Sequence, residues 1–205
     1  MNKVFQCPLS RKLLCYMLKI KLLLFAVLFT SWSPLKMPSA IDRHFDFNEF
    51  EIQKGRLGKI KLGMTIPEAE KYLSGLSKQR SEAVFFGFGG GSPAYLYYWK
   101  DEIILGLIPR LDTDTLLFIV AAHEKLRTAN GLSSKSTVRE LMQKYADLTV
   151  RQDLMNQWEY FRDEENSWDF IFMTAEKTMV GEYRDIGKPS KPKKLHTKTD
   201  WITIR

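Results

Sequence analysis

Two segments of this chain open in the same way, and that pairing limits the fold more than any other feature. GMTIPEAEKYL spans residues 63–73, and KSTVRELMQKY spans residues 135–145. Each holds a threonine followed three positions later by a glutamate, Thr65 with Glu68 and Thr137 with Glu140. In that spacing the hydroxyl accepts from the glutamate's amide while the carboxylate reaches back to the threonine's amide, which closes the first turn of a helix. Pro67 suits that first turn, where its missing donor costs little. Ala69, Tyr72 and Leu73 then share one face, and Gly75 ends the segment. Ile66 matches Val138 and Leu73 matches Tyr145 at the same constant offset, which suggests an internal duplication, although so common a capping pattern also recurs by chance.

Each start precedes strand-rich sequence. After the first come EAVFF (82–86), the glycine loop GFGGGSP, AYLYYW, EIILGLI and TLLFIVAA (115–122), the last apolar enough for a central strand. After the second come LTVRQ, WEYFR and WDFIFM, with the acidic turn DEENS between the last two, then TMVGEY and WITI. The order predicts an α+β fold of two tandem units, 57–126 and 127–205, each a short helix packed on an antiparallel β-sheet. Residues 41–56 form a lead-in broken by Gly55.

Residues 1–40 differ in kind. LLLFAVLFT (22–30) is an apolar run of signal-peptide length, preceded by lysines, and MLKIK from Met17 makes a sufficient start by itself. The expectation is export to the periplasm or cell envelope, with an uncleaved anchor as the alternative. Cys7 and Cys15 both precede the apolar run, so a processed chain has no thiol for a disulfide, a nucleophile or a metal. The net charge of +7 belongs largely to Lys3, Arg11, Lys12, Lys19, Lys21 and Lys36 in this leader. The remainder is nearly balanced, which removes the main support for nucleic-acid binding.

The candidates for chemistry are weak. GFGGG (87–91) precedes a strand, whereas nucleotide-binding loops open a helix. His123-Glu124 begins like a zinc-protease helix, but Arg127 stands where the second histidine belongs. Asp112 and Asp114 alternate in a turn without the rest of a calcium loop, and no G-x-S-x-G elbow occurs. No catalytic residue, metal or cofactor is predicted. Two contact surfaces are. Tyr95, Tyr97 and Trp99 fall on one face of a strand by its period of two, either as core or as an exposed platform for a partner. The segment 187–198 carries Lys191, Lys193 and Lys194 among its lysines and no acid. It is either a weak site for an anionic membrane surface or a solvated loop that guards a sheet edge.

IKLGMTIPEAEKYL (60–73) resembles the signature that opens the repeat in the SmpA/OmlA-like outer-membrane lipoproteins of the barrel-assembly machinery. It is also similar to β-lactamase-inhibitor-protein-like exported domains, and RTANGLSSKSTVRELMQKY (127–145) is similar to the restart of such repeats. The resemblance implies helix-then-sheet units that bind other proteins and catalyse nothing. The chain departs from the lipoproteins in lacking their lipidated cysteine. The expectation is a non-enzymatic, protein-binding module of the envelope. The alternatives are a hydrolase whose carboxylates and tyrosines converge only in three dimensions, or membrane contact through the lysine segment.

Overall fold

The computed structural model describes residues 45–89, 91–185 and 187–205, and residues 43–205 cluster as one unit. The leader, its two cysteines and its apolar run lie outside the described residues. Among the described residues no helix is long and apolar enough to cross a membrane.

Antiparallel β-structure dominates. Three two-residue strands, β1 (Ile52–Gln53), β2 (Arg56–Leu57) and β3 (Ile60–Lys61), form a small meander. The main sheet contains β4 (Ser77–Glu82), β5 (Pro93–Trp99), β6 (Glu102–Pro109), β7 (Leu116–Ala121), β8 (Arg151–Asp153), β9 (Trp158–Asp163), β10 (Trp168–Phe172) and β11 (Trp201–Ile204). Its order is β4-β5-β6-β7-β11-β10-β9-β8. The last strand of each half therefore meets the other at the centre, where Ile202 faces Ala121, Thr203 faces Val120 and Ile204 faces Ile119.

The helices are few and short: α1 (Ile66–Glu70) and α2 (Val138–Lys144). Both carry the complete threonine–glutamate clasp. The Glu68 carboxylate takes the Thr65 amide at 2.8 Å, and the Glu140 carboxylate takes the Thr137 amide at 2.6 Å. Remaining amide donors at each helix start find backbone acceptors from the chain leading into a central strand. Ile66 N donates to Asp114 O at 2.8 Å and Val138 N to Thr197 O at 2.9 Å. The first helix is shorter than Gly75 suggests. Tyr72 and Leu73 bond back only three residues, to Ala69 and Glu70, which tightens the last turn while Leu73 stays buried.

One face of the main sheet is covered by both helices, the small meander and the segment 173–200. Phe45, Phe50, Leu57, Ile66, Leu141, Leu105, Phe170 and Ile202 belong to this core. Ile104 and Leu105 both reach it because the β5–β6 register shifts at Tyr97/Tyr98, so two consecutive side chains face inward.

Two strand expectations are corrected. EAVFF is not a strand: Ala83–Phe86 is a 3-10 turn, and the strand is the polar run before it, SKQRSE. TMVGEY is not a strand either. The Glu159 carboxylate takes the amides of Val180 (2.6 Å) and Gly181 (2.8 Å), bonds that a ladder would need.

Candidate functional site: the open face of the sheet

The face turned away from the helices carries a second, smaller cluster, and the chain 83–92 lies across it. Phe86 and Phe88 point down from this crossing. Phe86 meets Trp201 edge-on at 5.4 Å, Trp158 meets the same indole edge-on at 5.0 Å, and Phe88 stacks on Phe118 at 4.2 Å. Trp201 Nε1 donates to Thr203 Oγ1 at 3.2 Å, which satisfies the indole within this layer. Gly106 leaves room beneath: a side chain there would approach Leu96, Val120 and Phe86. Gly87, at φ +81°, turns the crossing chain, and a Cβ on it would come within 2.8 Å of both Asn156 and Trp158. The Asn156 side chain donates to Gly87 O at 3.3 Å and to Asp153 at 2.8 Å, linking the turn to the β8–β9 connection.

With Phe86 and Phe88 held down, Val84 and Phe85 point outward. Phe85 is 63% exposed. It lines a cleft of about 770 Å³ with Phe86, Met173 and Trp201, whose polar lining includes Asp101, Glu102, Glu124, Lys135 and Asp200. A second cleft of about 570 Å³ lies on the other side of the crossing, between Phe88, Phe118, Leu154 and Trp158. Its far wall is an arginine pair around one carboxylate. Arg162 holds Asp169 through two bonds of 2.8 and 2.9 Å, and Arg205 reaches the same carboxylate at 3.3 Å and Glu164 at 2.9 Å. Leu154, Met155 and Met173 add exposed apolar surface around the clefts and their turns.

The sites named from sequence fall elsewhere. Tyr95, Tyr97 and Trp99 do share a face, and it is the helix-covered one: Tyr97 is 2% exposed, and Tyr95 and Trp99 pack partly buried against the core. The exposed-platform reading of that row is thereby corrected. The Tyr97 hydroxyl donates to Glu70 at 2.7 Å; burial and that carboxylate push the phenol well above its ordinary range. Lys191 and Lys193 stand beside Asp147 (3.6 Å) and Glu182 (3.9 Å), and Lys194 Nζ donates to Lys177 O at 2.5 Å. Their segment is anchored by buried Pro192 and Thr199 and lies along the β8 side of the sheet, where Val150 and Ser190 exchange backbone bonds of 2.8 and 2.9 Å.

Two polar groups that could serve catalysis, His123 and Glu159, are engaged in hydrogen-bond locks. His123 Nδ1 accepts the Lys125 amide at 3.1 Å, its Nε2 bonds Glu102 at 2.9 Å, and its ring stacks on Phe47 at 4.7 Å. Both nitrogens are thus engaged, which leaves no lone pair directed at a substrate. Glu159, fully buried, receives four donors, namely Thr174, Val180, Gly181 and Tyr183. Among the described residues no group of three or more His, Cys, Asp or Glu side chains is placed to hold a metal ion.

The residues that sequence reasoning missed are Phe85, Phe86 and Phe88. The available signal was three aromatics within four residues at the start of a glycine-rich loop, which must either pack on something or stay wet.

No protein-family model and no curated protein matches the chain. Among solved structures it is similar to that of the uncharacterized protein yfeY from Escherichia coli. The TM-score is 0.49 and the identity 14%, covering 77% of this chain and 99% of that one.

Proposed function

We propose that this chain is an exported, non-enzymatic module of the cell envelope that docks another protein on the open face of its sheet. The observation that carries the reading is Phe85: a large aromatic held out to solvent by a turn whose neighbours, Phe86 and Phe88, are locked down. Interface energy concentrates in such rigid aromatic anchors set among apolar neighbours and a polar rim. The clefts on either side, one with acids in its lining and the other with arginines, supply that rim. Export rests on the leader, and N-terminal sequencing of the mature protein tests it.

The tandem arrangement, residues 57–126 and 127–205, belongs to the same reading. It is supported by the matching ways in which the helix starts are satisfied. Leu116 N donates to Met64 O at 2.7 Å just before the first clasp, and Thr199 N donates to Ser136 O at 3.0 Å just before the second. Thr65 bridges Thr115, and Thr137 bridges Lys198. Each half thus docks the lead-in of its last strand on its own helix start.

The test is crosslinked capture from the native envelope with three forms of the full chain. The parent and a Lys191→Gln, Lys193→Gln, Lys194→Gln variant should capture the same partner, while Phe85→Ser loses it by roughly thirtyfold. Equal capture by a folded Phe85→Ser variant, or loss with the lysine variant instead, would overturn the open-face reading.

A further inference from the structure

The two edges of the main sheet are treated differently. The β8 edge is met just before its first residue by a later part of the same chain: Val150 pairs with Ser190, and Gly181 pairs with Pro192 beside it. That segment belongs to the long β10–β11 connection, residues 173–200. The equivalent connection in the first half, between β6 and β7, is only the turn 110–115, and among the described residues nothing comparable reaches β4.

Among the described residues the β4 edge is therefore open, and its hydrogen-bonding phase follows from the β4–β5 register. Ala83 N donates to Ser92 O at 3.0 Å, and the register continues as Glu82 with Pro93, Ser81 with Ala94 and Arg80 with Tyr95. In an antiparallel ladder the bonded pairs alternate. Ser77, Gln79 and Ser81 thus turn their backbone groups to β5, and Lys78, Arg80 and Glu82 turn theirs outward. Among the described residues no strand pairs with β4 on that side. Three N–H and three C=O groups in a row form a template for another strand.

The side chains say what kind of strand fits. Lys78 is engaged by Glu70 and lies over the Tyr95 ring, whereas Arg80 has no carboxylate partner among the described residues. At the end of β4 a cleft of about 660 Å³ is lined by Arg80, Glu82, Val84, Phe85 and Pro93, with room for an apolar side chain. A second copy of this chain is the rival occupant. Pairing about Arg80 sets Arg80 against Arg80 at the centre with Lys78 opposite Glu82 on either side, and pairing about Gln79 sets Lys78 against Arg80 twice. Like charges directly opposite each other are unfavourable. Pairing about Ser81 would run into the 3-10 turn at Ala83–Phe86.

We infer that the open edge of β4 accepts, by strand addition, an extended segment of a partner protein with an acidic side chain opposite Arg80 and an apolar one beside Val84 and Phe85. This rests on the reading of the chain as a protein-docking module and adds a second contact to it.

The probes are two short blocked peptides, one of alternating valine and glutamate and one of alternating valine and lysine. Amide exchange of the full chain is followed residue by residue. The glutamate peptide should slow exchange at Lys78, Arg80 and Glu82 and leave Ser77, Gln79 and Ser81 unchanged. It should bind about tenfold more tightly than the lysine peptide. Arg80→Pro removes one outward donor at a position where an edge strand tolerates proline, and should abolish binding with the fold intact. Arg80→Glu should invert the preference. Uniform or absent protection, equal binding of both peptides, or the same protection from self-association alone would each overturn the inference. If the peptides fail while capture in the envelope still depends on Phe85, strand addition alone falls. If both fail, the docking reading falls with it.

Discussion

Glu159 sits beneath the segment 174–183 with both carboxylate oxygens filled. Oε2 takes Thr174 Oγ1 (2.7 Å) and Val180 N (2.6 Å), and Oε1 takes Gly181 N (2.8 Å) and Tyr183 OH (2.7 Å). Glu159→Gln would turn one acceptor into a donor, and whichever way the amide points a backbone N–H, of Val180 or Gly181, is left facing it. The hydroxyls of Thr174 and Tyr183 can rotate to adapt; the backbone cannot. The expected loss is about 2–3 kcal/mol of stability, read from the urea midpoint at unchanged slope. Asp163 gives a second residue-scale prediction. Burial pushes its carboxyl up, but bonds from the Asn166 side chain and amide and from the Tyr145 hydroxyl more than offset this, and the group lies below its ordinary range. A depressed carboxyl contributes stability that is fully present above its unfolded value, about 4, and is lost as pH falls through the folded value. Asp163→Asn should lower stability near neutrality and flatten the acid limb of urea midpoint against pH. An acid limb as steep as the parent's would contradict this. The lock was half legible: DEENS reads as a turn, but nothing local says that Tyr145 closes it.

At the scale of elements, the two threonine–glutamate clasps are the part the chain announces most clearly, because each is a local bond pattern between residues three apart. Thr65→Ala and Thr137→Ala should each cost about 1 kcal/mol, seen as a lower unfolding midpoint. The effects should add, since the two clasps share no partner. Strands β5, β6, β7, β9 and β10 were legible for a similar reason, their aromatic and β-branched runs alternating or filling with apolar side chains. β4 was not. SKQRSE has no apolar period, and it is a strand because β5 offers it a ladder on one side. EAVFF shows the opposite case: its composition favours a strand, but Gly87 adopts φ +81° and Phe86 packs edge-on against Trp201. Tertiary packing overrides propensity in both places.

For the whole molecule, the central pairing of β7 with β11 joins the halves through Ile202, Thr203 and Ile204, and one core cluster draws side chains from both. Urea unfolding followed by tryptophan fluorescence and by far-ultraviolet circular dichroism should therefore give coincident transitions, a single cooperative step. Two separated transitions would mean that the halves fold alone. The clasps, the repeated start and most of the strand-forming runs depend on contacts within a few residues, so local sequence dictates them. It also separated a basic, apolar leader from a nearly neutral remainder. Which side of β5 is inside was left to long-range packing. Tyr95, Tyr97 and Trp99 share a face by local geometry, but their burial depends on where the helices land. Long-range packing also decided that Phe85 stays outside while Phe86 and Phe88 go down, and that the chain around Ser190 meets the β8 side of the sheet while no described strand pairs with the outer side of β4. Those outcomes rest on partners far away in the chain, whose approach no short stretch of sequence encodes.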